Sequence, residues 1–168
     1  MRPAETWEKA ISSPRRKLKA ENGKMKTGAG NGRLSMKSEN GRMGGDLKIR
    51  TKQFALGIVG LYADLPKRRQ AQVMGDQVLR SGTSVGAHFR EAQRAKSNAD
   101  FISKIEGGMQ ELEETVYWLE LLEETGLCAS KSLEPLKQEA GELMAIFVTI
   151  VRKTKAGMEQ NAKMKAEL

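Results

Sequence analysis

The stretch "RSGTSVGAHFREA", residues 80–92, carries two glycines and three hydroxyl side chains, yet it continues a hydrophobic repeat without interruption. The repeat recurs at three- and four-residue spacing: Ala71, Met74, Val78, Gly82, Val85, Phe89 and Ala92. This period predicts that the whole stretch lies inside an amphipathic helix. Gly75, Gly82 and Gly86 follow one edge of that helix, and each glycine costs about 1 kcal/mol relative to alanine. The edge therefore predicts close approach of another helix, from the same bundle or from a second protomer.

The same stretch matches two catalytic patterns poorly. A phosphate-binding loop needs Gly-x-x-x-x-Gly-Lys-Ser/Thr after a strand, whereas Gly82 and Gly86 are four apart and no lysine follows. Ser84 and His88 share a helix face and could act as nucleophile and base, but the Gly-x-Ser-x-Gly turn is absent. Thr83 and Ser84 are expected to bond carbonyl groups one turn back or to contact a neighbouring helix.

Helical periods also occur on both sides of this region. A first helix is predicted over 47–64 and ends before Pro66, which supplies no N–H. Its apolar positions are Leu47, Phe54, Ile58, Leu61 and Leu65. The last helix is predicted to follow a cap at Ser130 or Ser132, with Pro135 tolerated in its first turn. Its apolar positions are Leu133, Leu136, Ala140, Leu143, Phe147, Ile150 and Val151.

Between these lies a third predicted helix with clear end signals. Ser97 or Asn98 is the expected N-cap, and Asp100 in the first turn interacts favourably with the helix dipole. Gly126 is placed to close the helix in a left-handed conformation. The apolar positions are Phe101, Ile105, Gly108, Leu112, Val116, Leu119 and Leu122.

Four helices joined by short connections predict an all-α, antiparallel up-down-up-down four-helix bundle over residues 46–156. The charged residues 157–168 are expected to fray. Residues 1–45 contain seven glycines and no apolar period, so they are predicted to form a disordered basic tail. The tail contains a near-repeat, "KAENGKM" at 19–25 and "KSENGRM" at 37–43. It is interpreted either as a duplicated RNA-contacting element or as an upstream extension of the reading frame.

Composition excludes several classes of protein. The single cysteine, Cys128, cannot form an internal disulfide, and with the single His88 it argues against a zinc site made by the protein alone. No run of 18 apolar residues occurs, and the N-terminus has no apolar core of a secretory signal. We therefore expect a cytoplasmic protein with no cofactor, no metal, no membrane partner and no small-molecule substrate.

The net charge of +8 comes entirely from residues 1–50, because residues 51–168 hold equal numbers of basic and acidic side chains. Within the predicted bundle, Arg80, Arg90, Arg94 and Lys96 mark the second helix, whereas seven glutamates crowd the third. These charges are interpreted either as solvated faces and inter-helix pairs or as a basic strip that binds RNA phosphates. The aromatic pair Tyr117 and Trp118 lies in the acidic region and is expected to pack or to form a protein interface.

Three segments together resemble a known family of four-helix bundles. They are "FALGIVGLYADLP" (54–66), "LRSGTSVGAHFREAQRAKSNADFISKI" (79–105) and "ELEETVYWLELLEETGL" (111–127). The family is that of proteins encoded by intervening sequences of large-subunit ribosomal RNA genes, and the resemblance covers about residues 47–155. It implies a left-handed antiparallel bundle assembled as a homopentamer. It also implies kinship with the accessory variability proteins of diversity-generating retroelements, which bind nucleic acid and a reverse transcriptase. No enzymatic activity is established for this family.

The resemblance places family positions on individual residues of this chain. They are Arg80, the pair Ser84 and Val85, the pair Arg90 and Glu91, the pair Asp100 and Phe101, Glu113 or Glu114, and the run Tyr117, Trp118 and Leu119. There are two departures from the family pattern. His88 stands where the family usually has asparagine, and Gly107 and Gly108 stand where it more often has helix formers.

The leading hypothesis is a non-enzymatic homo-oligomeric scaffold that associates with RNA or a ribonucleoprotein through Arg80, Arg90, Arg94 and Lys96. The alternative is a protein-interaction module that uses the acidic third helix and binds no nucleic acid. A hydrolase using Ser84 and His88 ranks third. The residues expected to pack or to form interfaces are Gly75, Gly82, Ser84, Gly86, His88, Glu91, Asp100, Tyr117 and Trp118.

Overall fold

The computed structural model describes residues 35–167, and it describes side chains from residue 46 onward except that of residue 165. This part of the chain contains four helices and no strand. The helices are α1 (Ser35–Asp64), α2 (Arg69–Ala92), α3 (Asn98–Glu124) and α4 (Ser130–Ala166). The predicted all-α class and the number of helices are confirmed.

Contacts between consecutive helices run in opposite sequence directions. Along α1 and α2, Ile58 meets Gly82 while Tyr62, further along α1, meets Gly75, earlier in α2. Contacts between α2 and α3 and between α3 and α4 run in the same antiparallel sense, and α4 closes the ring by packing against α1. Arg50 spans this last pair, with its Nε 2.6 Å from an Oε of Glu139. The helices are therefore antiparallel neighbours in chain order.

The core combines large apolar side chains from all four helices. Its fully buried members include Phe54, Ile58, Val78, Val85, Ile105, Leu112, Leu119, Leu136, Leu143 and Phe147. Phe89 of α2 and Phe147 of α4 stack across the bundle, with ring centroids 5.9 Å apart. The predicted apolar positions of α3 are partly shifted, because Ile102 and Thr115 are buried whereas Phe101 is half-buried. Since α3 packs against both α2 and α4, its buried face is wider than one row of side chains.

Two of the predicted helix ends are confirmed. The Ser97 hydroxyl accepts a hydrogen bond from the Asp100 N–H at 3.1 Å, which satisfies a free donor in the first turn of α3. The Asp100 carboxylate accepts in turn from the Lys96 N–H at 3.0 Å. Gly126 ends α3 with a φ of 66°, a conformation that side chains bearing a Cβ rarely adopt.

The start of α4 differs from its prediction. The helix follows Ala129, and neither Ser130 nor Ser132 caps it. The Ser130 side chain is instead hydrogen-bonded to Glu123, at the end of the preceding helix, and is not available as a cap. Pro135 consequently lies in the second turn rather than the first.

Both outer helices are longer than the apolar repeat predicts. Helix α1 begins at Ser35 rather than 47, and α4 continues to Ala166 rather than fraying from 157. Once a helix has formed, the addition of each further residue to its end costs little free energy. The end of α4 is also rich in alanine, lysine and methionine, which favour helix. The rest of the predicted tail, residues 1–34, lies outside the described residues.

The glycines of α2 face α1 of the same chain. A Cβ on Gly82 would lie 2.7 Å from Cγ1 of the buried Ile58, and one on Gly75 would lie 2.6 Å from Cδ1 of Leu65. Carbon atoms in contact are normally 3.5–4.0 Å apart, so a methyl group on Gly82 would have to displace the buried Ile58, and one on Gly75 would have to displace the end of the Leu65 side chain. The close approach that the glycine edge predicts thus occurs within one bundle.

Substituting two helical glycines by alanine should have opposite effects on stability. In Gly141→Ala the new methyl group meets no atom within 4 Å, and we expect the free energy of unfolding to rise by about 1 kcal/mol. In Gly82→Ala the methyl group must displace Ile58, and we expect a fall of about 1 kcal/mol because overpacking outweighs helix propensity. Urea unfolding followed by circular dichroism measures both values. Equal stabilisation in the two variants would contradict the close packing of α1 on α2.

Candidate nucleic-acid interface

The antiparallel fold sorts the charges of the bundle by position along its axis. We define the basic end as residues 46–56, 86–106 and 148–164, which hold eleven Lys and Arg against five Asp and Glu. The acidic end, residues 57–85 and 107–147, holds six Lys and Arg against eleven Asp and Glu. The two ends meet where Arg50 of α1 bonds Glu139 and Glu142 of α4. A sum over the linear sequence hides this polarity, because each helix contributes one half to each end.

Arg80 belongs to the acidic end, apart from the other three predicted RNA-binding cations. Its guanidinium is hydrogen-bonded to Glu114 and lies 3.4 Å from a carboxylate oxygen of Glu111, both on α3. The bond to Glu114 raises the pKa of Arg80 and lowers the pKa of Glu114. The Trp118 Nε1–H, which donates to the same carboxylate at 3.1 Å, lowers the Glu114 pKa further. Arg80 is thus engaged in a bridge between two helices.

Arg90, Arg94 and Lys96 lie together at the end of α2 and in the connection to α3, and all three are exposed. Within residues 46–167, none has a carboxylate near enough for an ion pair. The Arg90 guanidinium lies beside Gly86, 3.5 Å from where a Cβ would be, next to Thr51 of α1. Their charge is therefore available to an anionic partner.

Four further cations lie at the basic end and were not predicted from the sequence. They are Lys48 and Lys52 on α1 and Arg152 and Lys153 on α4, all of them exposed. No ion pair joins any of them to a described carboxylate, unlike Lys155, which bonds Glu106 at 2.9 Å. Only the antiparallel topology brings these residues to the same end as Arg90. Their sequence positions, on the first and last helices, carry no such signal.

His88 packs against the two unusual glycines of α3. A Cβ on Gly107 would lie 3.0 Å from the imidazole Cε1, and Cβ of His88 itself lies 3.5 Å from the Cβ position of Gly108. The buried Nδ1 has no hydrogen-bond partner, and the nearest carboxylate oxygen, of Glu91, is 3.8 Å away. Glu91 is also 3.3 Å from the ammonium group of Lys104. Gly107 therefore leaves room for the imidazole ring between α2 and α3, whereas a Cβ on Gly108 would meet the Phe147 ring of α4 at 3.0 Å.

The hydroxyl groups of the opening stretch form hydrogen bonds within their own helix and, for Ser81, also with α3. Ser84 donates to the Arg80 carbonyl at 2.8 Å and Thr83 to the Leu79 carbonyl at 2.6 Å. Ser81 is buried and accepts a hydrogen bond at 2.9 Å from Thr115 of α3. This arrangement contains no feature that activates Ser84 as a nucleophile.

The Cys128 thiol is half-buried, and burial raises its pKa above the usual value, so it is a weak nucleophile. Among the described residues, no three His, Cys, Asp or Glu side chains are grouped so that they could hold a metal ion. None of the helices in this part of the chain is long and apolar enough to cross a membrane.

The aromatic pair lies at the acidic end, away from Arg90, Arg94 and Lys96. Tyr117 is exposed and contacts the half-buried Trp118 edge to face, with ring centroids 5.1 Å apart. Beside Trp118 an open groove of about 340 Å³ runs along the start of α2. Its other lining residues are Arg69, Gln70, Val73 and Met74. The aromatic residues therefore form a surface separate from that of Arg90, Arg94 and Lys96.

Comparison with known proteins gives a consistent result for the bundle. A family model described as 23S rRNA-intervening sequence protein matches residues 46–149. A crystal structure from Bacteroides thetaiotaomicron, a protein of unknown function from the S23 ribosomal protein family, is 38% identical with a TM-score of 0.61. The match covers 65% of this chain and 97% of that one. No curated protein matches. Since the family model spans well over half of the sequence, the chain belongs to the 23S rRNA-intervening sequence protein family.

Proposed function

We propose that this protein is a non-enzymatic, homo-oligomeric scaffold that associates with RNA or a ribonucleoprotein through its basic end. The observation that carries the proposal is the cluster of Arg90, Arg94 and Lys96, which is exposed and has no carboxylate partner among the described side chains. The family description, which refers to intervening sequences of 23S rRNA, agrees with an RNA partner.

The chemistry of this surface favours contact with phosphates rather than with bases. Lysine and arginine bind phosphate oxygens and release counterions, which gives affinity with little sequence information. Base stacking needs exposed aromatic side chains, and the exposed Tyr117 lies at the acidic end. Binding through the basic end should therefore be strongly salt-dependent and only weakly selective for sequence.

Neutralising the cluster should weaken RNA binding by the full chain. In the variant Arg90→Ala, Arg94→Ala, Lys96→Ala, the slope of log affinity against log salt should fall by roughly 0.7–0.9 for each phosphate that is no longer neutralised. A matched control removes three exposed cations from the acidic end: Lys67→Ala, Arg68→Ala, Arg69→Ala. Fluorescence anisotropy of a labelled RNA hairpin, titrated at several salt concentrations, measures both variants.

The control should retain the slope and most of the affinity of the original chain. Equal losses in both variants would show that binding follows net charge alone and would overturn the assignment to the basic end. Unchanged binding in the Arg90, Arg94 and Lys96 variant would overturn this cluster as the RNA contact and would leave the other cations of the basic end, or residues 1–34 with their nine Lys and Arg, as the site.

Self-association is supported by an apolar face on α1 that the bundle does not cover. Ile49, Leu56 and Val59 recur at spacings of seven and three, so they share one side of the helix, and all are exposed. Large exposed apolar side chains at helical spacing are typical of helix–helix interfaces. The family resemblance implies a pentamer, and this face of α1 is our candidate for its subunit contact.

A charge on this face should dissociate the assembly. Leu56→Glu places a carboxylate on a surface that is 58% exposed in one subunit and becomes buried on association, so the molar mass should fall. Met164→Glu, at 60% exposure near the end of α4, is the control and should leave the mass unchanged. Light scattering measures the mass, and circular dichroism verifies that helix content is retained. An unchanged mass in Leu56→Glu would exclude this face as the contact.

A second candidate function rests on the outward face of α3. Glu113, Glu120 and Glu124 are exposed there, and none forms an ion pair with a described side chain. Such a face would suit a basic protein partner. If the full chain binds no RNA hairpin even at low salt, the RNA proposal fails and this protein-interaction function replaces it.

A further inference from the structure

The groove beside Trp118 combines an apolar floor with opposite charges on its two sides. Val73 and Met74 of α2 line the groove together with Trp118 of α3, and Val73 is 52% exposed. Arg68 and Arg69 are exposed at the α2 side. On α3, carboxylates follow the outward face that carries Tyr117: Glu113, Glu120 and Glu124. A peptide segment that binds in this groove therefore needs one large apolar side chain, acidic residues next to it in sequence, and basic residues further along the segment.

The N-terminal segment, residues 1–34, has this combination. Trp7 is its only aromatic residue and is flanked by Glu5 and Glu8. A basic run, Arg15-Arg16-Lys17, begins eight residues later. With Trp7 in the groove, the two glutamates would face Arg68 and Arg69, and the basic run would face the carboxylates of α3. The segment holds nine Lys and Arg against three Asp and Glu, whereas the acidic end of the bundle holds more Asp and Glu than Lys and Arg.

The segment is long enough to reach the groove of its own chain. Helix α1 begins at Ser35, at the basic end, and its 30 residues span about 45 Å at 1.5 Å per residue. The 27 residues from position 7 to position 34 can span up to about 90 Å when extended. The N-terminal segment is therefore long enough for Trp7 to bind in the groove without any change in the bundle.

We propose that the groove beside Trp118 binds Trp7 of the same chain, so that the basic N-terminal segment covers the acidic end of the bundle. The indole removes apolar surface of Val73 and Met74 from water, and the charges on either side set the direction of the segment. This inference does not depend on RNA binding at the basic end.

Cysteine cross-linking in the full chain tests the proposal while keeping Trp7. In a Cys128→Ser background, Thr6→Cys is combined with Gln70→Cys at the groove. The control combines Thr6→Cys with Met164→Cys, an exposed site near the end of α4 that lies outside the proposed subunit contact. The rate of disulfide formation with oxidised glutathione should be at least about tenfold higher for the groove pair, because docking raises the effective concentration of the two thiols. The disulfide should be intramolecular.

Two additional substitutions in the groove pair identify the contacts. Trp7→Ala should reduce the rate to that of the control pair. Glu120→Lys with Glu124→Lys should slow the reaction, and adding Arg15→Glu, Arg16→Glu and Lys17→Glu should restore it. Equal rates for the groove and control pairs, or no effect of Trp7→Ala, would overturn the proposal. Disulfide-linked dimers in place of intramolecular bonds would also overturn it, because the occupant would then be a second copy.

Discussion

Close packing of α2 on α1 is the constraint on which the arrangement of the bundle depends. Gly75 and Gly82 leave no space for a Cβ between the two helices, and Ile58 and Leu65 occupy that space instead. Since these contacts lie at opposite positions along two antiparallel helices, they set the axial register of α1 against α2. Helices α3 and α4 are then aligned by short connections and by the Phe89–Phe147 stack across the core.

This register determines which charges meet. Arg80 and Arg90 are ten residues apart on one helix, a separation of about 15 Å along its axis. That distance places Arg80 beside the glutamates of α3 and leaves Arg90 at the opposite end, without a described carboxylate partner. A folded region with no net charge thereby acquires a basic end and an acidic end. The two ends carry opposite excess charge, and our proposals accordingly place RNA at one end and a basic segment of the chain at the other.

The two departures from the family pattern are in contact with each other. His88 stands where the resemblance implies a smaller asparagine, and its ring lies against Gly107, where a Cβ would be 3.0 Å from the imidazole. A Cβ on Gly108 would instead be closest to the Phe147 ring, also at 3.0 Å. Glycine has a lower helix propensity than alanine, and this loss at Gly107 in α3 is thus linked to the size of the side chain that faces it from α2. The sequence shows two separate irregularities, and only the packing of α2 on α3 shows that they compensate.

Local sequence signals were sufficient to predict the number of helices, most of the core, the Ser97 cap and the glycine that ends α3. These features depend on periodicity and on backbone chemistry within a few residues. Only tertiary packing shows that the α2 glycines face α1 and that Arg80 is engaged by α3. The same packing brings Lys48, Lys52, Arg152 and Lys153 to the end that holds Arg90. Such groupings depend on the register of helices far apart in sequence, and neither composition nor spacing along the chain encodes that register in a readable form.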